Sequence, residues 1–294
     1  MTGLERDRWV IPFRSSGEFL SWWLESPRLQ IPAQHTFSRY YGSYTRHFSG
    51  YLERVWSARH WELEKEIEKF LRLRSSVRVL DLGCGTGSVA LYVAGKYRPH
   101  CHVLGVDIKE DRLACANERK DVLEGLLRSE VTCRFLNANL FELEPGHPFD
   151  LVYLEETFHH LEPRSQVFGA LGKILAPDGK VIISETNAAN PLVLIRVLAQ
   201  RGTRSVSCIT DATGKAVPYG NERVLGAGAL IRAFERNGFK TLSLRHFRAF
   251  GAGRGFLGKK DRLLERLDGA VGRLGCISRV LTVHYNAVFG RGGL

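Results

Sequence analysis

Apolar positions between residues 77 and 186 fall into short β-branched runs separated by polar, helix-forming stretches. Val77–Leu82 (VRVLDL) predicts a first strand, and Ser88–Tyr97 has the spacing of a helix. Val103–Asp107 predicts a second strand, followed by a charged helix over about 109–128. Val131–Leu136 and Phe149–Leu154 predict a third and a fourth strand, and Arg164–Leu175 a helix. Pro177-Asp178-Gly179 marks a turn before a fifth strand, Lys180–Glu185. Strands alternating with helices of this length imply βαβ crossovers, hence an α/β, doubly wound, mostly parallel sheet with helices on both faces.

Two flanking regions break the alternation. Residues 1–76 carry aromatic clusters at Phe19–Leu24 and Phe37–Tyr51, the second including Tyr40, Tyr41 and Tyr44, and then a helix over Trp56–Leu73. They read as a helical, aromatic-rich N-terminal extension or lid, with the main domain at 77–294. Beyond the fifth strand, 187–226 is a long insert containing a helix at Leu192–Gln200. The alternation resumes with a helix at Ala227–Asn237 and a strand at Thr241–His246. A second insert at 251–278 is glycine-rich and then amphipathic over Asp261–Leu274, and Val280–Phe289 predicts the last strand.

Composition narrows the class. A chain of 294 residues with 44% hydrophobic and 25% charged residues is ordinary for a globular domain. No apolar run approaches the roughly 20 residues that span a bilayer, and the N-terminus shows no secretory pattern. The six cysteines form no C-x-x-C pair, so free thiols, no metal site and a cytoplasmic setting are expected. The net charge of +11 is uneven: +3 over residues 1–76, −4 over 77–195 and +12 over 196–294. A basic last third suits an acidic partner, such as nucleic acid or an anionic membrane, as well as plain solubility.

The chemistry concentrates in Asp81-Leu82-Gly83-Cys84-Gly85-Thr86-Gly87, which follows a strand and opens a helix. Glycines there let the backbone turn sharply and approach a ligand, and the helix N-terminus offers free N–H groups. A loop at the carboxyl end of the first strand is where open α/β sheets bind nucleotides. The D-x-G-x-G-x-G spacing, unlike the dinucleotide G-x-G-x-x-G, resembles motif I of the class I S-adenosylmethionine-dependent methyltransferases. Phe149-Asp150-Leu151-Val152 and Leu175–Lys180 resemble that family's fourth- and fifth-strand motifs.

The resemblance implies a Rossmann-like, seven-stranded sheet with S-adenosylmethionine as cofactor. Its cofactor residues would be Asp81, Gly83, Cys84, Gly85, Gly87, Asp107, Ile108, Asn137, Ala138 and Glu155. Asp107 would take the ribose hydroxyls. Asn137-Ala138 would read the adenine; Asn departs from the family's Asp, but its amide oxygen still accepts. After the fourth strand, Glu155-Glu156-Thr157-Phe158-His159-His160-Leu161 lacks the Pro-Pro-aromatic motif of nucleic-acid base methyltransferases and resembles small-molecule and lipid types. Glu156 and His159 are the candidate catalytic residues, and Tyr40, Tyr44, His160, Asn187, Asn190 and Tyr219 the candidate substrate residues. Capping is an equal reading for Asn190, and packing on the domain is the alternative reading for Tyr40, Tyr44 and His160.

The expected activity is methyl transfer to oxygen or carbon of a hydrophobic small molecule or lipid-like acceptor. The alternatives are an RNA or protein methyltransferase docking through the basic last third, and a non-catalytic cofactor-binding regulator. Nucleic acid is disfavoured as a partner. Peripheral contact with an anionic membrane through 251–278 is expected on the membrane reading, and the oligomeric state is left open.

Overall fold

In the computed structural model the described residues are Phe19, 49–144, 146–210, 214–248, 266–268, 270–271, 274–275 and 277–292. The tyrosines at 40 and 44 and most of the helix expected at 261–274 lie outside them. A long helix, α1 (Ser49–Leu73), precedes the first strand. There follow β1 (Val77–Leu82), α2 (Ser88–Lys96), β2 (Cys101–Asp107), α3 (Glu110–Leu127), β3 (Cys133–Asn137), β4 (Phe149–Glu155), α4 (Arg164–Ile174) and β5 (Leu175–Thr186). The insert after β5 contains α5 (Pro191–Arg201) and a hairpin, β6 (Val206–Thr210) and β7 (Ala216–Gly220). The chain closes with α6 (Ala227–Arg236), β8 (Phe239–Phe247), a short helical turn α7 (Ser278–Leu281) and β9 (His284–Arg291).

Seven strands form one sheet in the order β3-β2-β1-β4-β5-β9-β8. The first five are mutually parallel, and β9 runs antiparallel to both β5 and β8. Strand order reverses between β1 and β4, which opens a crevice at their carboxyl ends. Side chains alternate cleanly: Leu151 and Tyr153 face the core under α1 and α2, whereas Val152 and Leu154 face the core under α4 and α6. Helix α2 is buried from Val89 to Gly95, as expected of a crossover helix between sheet and neighbours. On the other face Phe234 stacks on Phe289 at 3.9 Å and meets Phe168 edge-on at 5.1 Å.

Two expected boundaries shift, and one element is new. Pro177-Asp178-Gly179 does not separate helix from strand; it lies inside β5 where the register against β4 breaks between Phe149 and Leu151. A Cβ at Gly179 would sit 2.9 Å from the Phe149 carbonyl oxygen, so the close strand approach, not a turn, needs the glycine. The last strand starts at His284, not at 280, because 278–281 coil into α7. The β6–β7 hairpin is an addition to the expected elements; its strands are short and largely exposed, and VSCIT and AVPYG carry no sustained alternation of apolar and polar residues.

Candidate functional site

The glycine loop is built by local geometry. Gly83, Gly85 and Gly87 all have positive φ, at 77°, 54° and 80°. A Cβ at Gly87 would lie 2.7 Å from the Phe135 ring and 2.9 Å from Ala116, so this glycine lets α2 pack onto β3 and α3. A Cβ at Gly85 would meet nothing within 4 Å, which leaves open space beside the loop. Asp107, at the end of β2, accepts the Gly85 N–H at 2.9 Å and the Lys109 N–H at 2.9 Å. Asn137 Nδ2 donates to the Asp107 carbonyl at 3.4 Å, which leaves the amide oxygen as the acceptor end of that side chain. Ile108 and Ala138 are half-buried beside them, and Cys84 is a half-buried packing thiol whose Sγ closes against Gly105.

Asp81 is buried and accepts the Ala90 N–H at 3.1 Å, bracing the start of α2. Burial, then the charges of Glu155 and Asp107, push its carboxyl up to about 8 against the opposing Ala90 hydrogen bond. Asp107 and Asp81 thus brace the loop and the helix it opens, with the Glu155 charge close enough to act on Asp81.

A second cluster lies directly against this loop. A Cβ at Gly83 would sit 2.3 Å from Thr157 Oγ1, so the segment after β4 packs on the glycine loop itself. Thr157 Oγ1 donates to the Glu155 carbonyl at 2.8 Å, and Glu156 takes a left-handed φ of 46° with its N–H on the Ser184 carbonyl. Arg59, reaching in from α1, lies 3.2 Å from Glu155 and 2.8 Å from Glu156. Burial works to lower its pKa, but Glu156 and Glu155 outweigh burial and hold it above the usual range. His60 Nε2 is 3.0 Å from the other Glu155 oxygen. Both oxygens of Glu155, expected at the cofactor, are therefore engaged by α1.

Glu156 also accepts from Thr186 Oγ1 at 2.9 Å and lies 3.3 Å from His284 Nδ1. Burial and the Arg59 charge pull His284 down to about 3, so the ring is neutral. His159 is buried and held twice by Glu185: its N–H lies 3.3 Å from Oε1 and its Nδ1 2.7 Å from Oε2. Burial acts to lower the imidazole pKa, but the Glu185 charge and hydrogen bond, with Glu156 and Glu222, push it up to about 9. Glu222 stands 3.9 Å from the other ring nitrogen, Nε2.

His160 stacks on Tyr219 at 4.4 Å, and its Nδ1 is 2.7 Å from the Gly220 carbonyl. Burial and the neighbouring His159 charge draw it down to about 3. Two sets, His159/His160/Glu222 and Glu156/His159/Glu185, each have ligand atoms within 4.8 Å of one another. In the second, Glu156 and Glu185 already pair with Arg59 and His159.

The structure thus brings Glu156, His159, His160 and Tyr219 together at the ends of β4 and β5. Asn187 and Asn190 are used differently. Asn187 Nδ2 donates to the carbonyls of Arg279 and Thr282, and Asn190 caps α5 through Leu192 and Val193 while donating to the Leu281 carbonyl. Their amides tie the start of the insert to α7, so the capping reading of Asn190 is the one observed. Arg59, His60, Glu222 and His284 were missed; none lies in a recognisable motif, and only folding brings them to the site.

A family model described as a methyltransferase domain matches residues 73–223. Over 125 residues the chain is 34% identical to phosphoethanolamine N-methyltransferase 1 of Zea mays, a match covering 42% of this chain and 23% of that protein. Over 132 residues it is 28% identical to a demethylmenaquinone methyltransferase of Listeria monocytogenes, covering 45% of this chain and 54% of that one. The matches therefore span about a quarter to about half of these relatives' lengths. Among solved structures, an S-adenosylmethionine-dependent methyltransferase from Methanosarcina mazei superposes with a TM-score of 0.51 at 16% identity, covering 74% of this chain and 94% of that one. At that identity the likeness concerns the fold.

Proposed function

This chain belongs to the class I S-adenosylmethionine-dependent methyltransferases, and from that premise we propose that it methylates an oxygen or carbon of a hydrophobic small molecule at the ends of β4 and β5. The observation that carries the reading is the packing of Thr157 on Gly83, which sets the loop bearing Glu156 and His159 against the glycine loop. The cofactor supplies an electrophilic methyl group on a sulfonium centre. Asp81, Gly85 and Asp107 are the residues to hold it: Asp81, once it gives up its proton, would answer the positive charge, Asp107 would take the ribose hydroxyls, and the open side of Gly85 leaves room. Relatives that act on phosphoethanolamine and demethylmenaquinone support a small-molecule acceptor over a macromolecule.

Methyl transfer is an in-line displacement, so orientation does much of the work. An oxygen or acidic-carbon acceptor must also shed a proton. His159, fixed by Glu185 through Nδ1, presents Nε2 as the exchanging atom. Below about pH 9 its imidazolium balances charge developing on an acceptor oxygen; above it, the neutral ring takes the proton directly. Glu156, held ionised by Arg59, orients the acceptor or the imidazolium.

The test is to incubate the protein with methyl-labelled cofactor and a panel of phenols, quinols, amines and extracted lipids. Label should enter an O- or C-methylated apolar product, with a rate climbing through about pH 9 in the wild type and lost in His159→Ala. Label appearing in amines alone, or equally in His159→Ala, would overturn the assignment.

A further inference from the structure

We propose that the outward face of α5, with the adjoining turn at 277–281, seats the protein on an anionic lipid surface. Val193 and Val197, one turn apart, are buried against the body of the protein, and Ile195 stands opposite them, flanked by Leu192 and Leu198. Leu192 is 77% exposed and Ile195 64%. A helix resting on a globular body ordinarily turns a polar face to water, and this one turns an apolar face to water as well. Beside it, Val280 and Leu281 are also exposed, and the Asn190 amide on the Leu281 carbonyl fixes that turn to the start of α5.

Charge decides what covers this face. From Asn187 to Thr210 there is no aspartate or glutamate, whereas Arg196 and Arg204 are exposed there and Arg279 is exposed on the adjoining turn. A symmetric contact with a second copy would set these arginines against each other with no carboxylate on the patch to offset them. Phosphodiester headgroups offer the complementary charge, and arginine matches their geometry. Apolar residues flanked by arginines are the pattern of a helix lying in a membrane interface. Among the described residues no helix is long and apolar enough to cross a bilayer, so the contact is peripheral.

The placement ties this face to chemistry. The insert leaves β5 beside Glu185, which holds His159, and returns through β7 to stack Tyr219 on His160. Seating α5 in a headgroup layer brings the acceptor end of the site to the lipid, where a hydrophobic acceptor resides. Only that last step rests on the methyl-transfer reading; the docking itself does not.

Vesicle sedimentation of the full chain tests it, with phosphatidylcholine alone and phosphatidylcholine mixed with phosphatidylglycerol. The wild type should pellet with the anionic vesicles only, and less as salt rises. Leu192→Asp/Ile195→Asp and Arg196→Glu/Arg204→Glu should each weaken binding about tenfold, because apolar contact and charge both contribute. Thermal midpoint and S-adenosylhomocysteine affinity should not move, since these side chains are exposed. Equal pelleting with both vesicle types, or none with either, overturns the proposal. So does self-association in sedimentation velocity that Leu192→Asp abolishes without any vesicle binding. Vesicle binding without methyl transfer to any acceptor would remove the catalytic reading and leave the docking in place.

Discussion

The two halves of the crevice are built by opposite strategies. On the proposed cofactor side, Asp81 to Gly87 is one continuous stretch, and its contacts to Asp107 and Ala90 join neighbouring strand and helix ends. On the proposed acceptor side, Arg59, Glu156, His159, Glu185, Tyr219 and His284 come from five separate segments spread over more than two hundred residues. A ligand common to a whole family can be held by a short loop whose backbone does the work. An acceptor particular to one protein needs side chains from distant elements, each available to vary separately. The acceptor half is also more heavily charged, and its ion pairs are buried or half-buried, so its stability rests on mutual neutralisation.

The largest expected break falls on the acceptor half alone. His159→Ala and Glu156→Ala should lower kcat by about 10²–10⁴-fold, as removal of a proton-transfer group does. Cofactor affinity should stay near wild type, because neither side chain accepts from the glycine loop. Steady-state kinetics paired with calorimetry separates the two; a parallel loss of cofactor binding would merge the halves into one unit.

Next comes the joint between α1 and the site. Arg59→Ala strips the buried counter-charge from Glu155 and Glu156 and should cost about 3–5 kcal/mol in chemical denaturation. Glu156→Gln introduced into the same protein should recover part of that loss, since one uncompensated carboxylate is then gone. A loss below about 1 kcal/mol, the range of exposed pairs, would mean that the cluster is solvated rather than buried.

A smaller effect should strike the cofactor half alone. Gly85→Leu puts a side chain into the open space beside the loop and should weaken S-adenosylhomocysteine binding about 100-fold or more, some 2.7 kcal/mol. The positive φ adds a strain of about 1–2 kcal/mol to folding, so most of the native population survives. Full affinity in this variant would move the cofactor elsewhere.

The smallest expected effect is a pH dependence. With its carboxyl pushed up to about 8, Asp81 holds a proton at neutral pH that a cationic ligand must displace. Cofactor affinity should therefore rise by about fivefold from pH 7 to pH 8 and by about tenfold in all before it levels off near pH 9, and Asp81→Asn should flatten the curve. The same shift makes Asp81 a cost to folding: the native carboxyl keeps its proton above the unfolded value of 3.8, so its contribution to stability declines as pH climbs from there towards 8. An affinity that falls with pH would show that Asp81 does not face the cation.

Much of the proposed cofactor half is legible in the sequence. β1 was read to the residue, and β2, β4 and α2 to within two residues, because buried parallel strands are short apolar runs and their helices carry a clear period. The glycine loop could be read because each of its positive-φ residues must be glycine to avoid strain. The role of Asn190 stayed open because an asparagine before proline reads alike as a cap and as a pocket residue. The β6–β7 hairpin is not legible because VSCIT and AVPYG carry no sustained apolar–polar alternation, even though β6 alternates in exposure once folded.

What the sequence determined by itself was the sheet, its doubly wound order and the glycine loop after β1. These depend on neighbours a few residues away or on the side-chain period, and both are written locally. Only the tertiary structure decided that Arg59 from α1 neutralises the carboxylates after β4, that Glu185 rather than solvent holds His159, and that α5 turns its leucines outward. Each of those facts is an encounter between side chains 26 to 97 positions apart, or the lack of one, and Coulombic and packing contacts depend on distance in space, which sequence separation does not reveal.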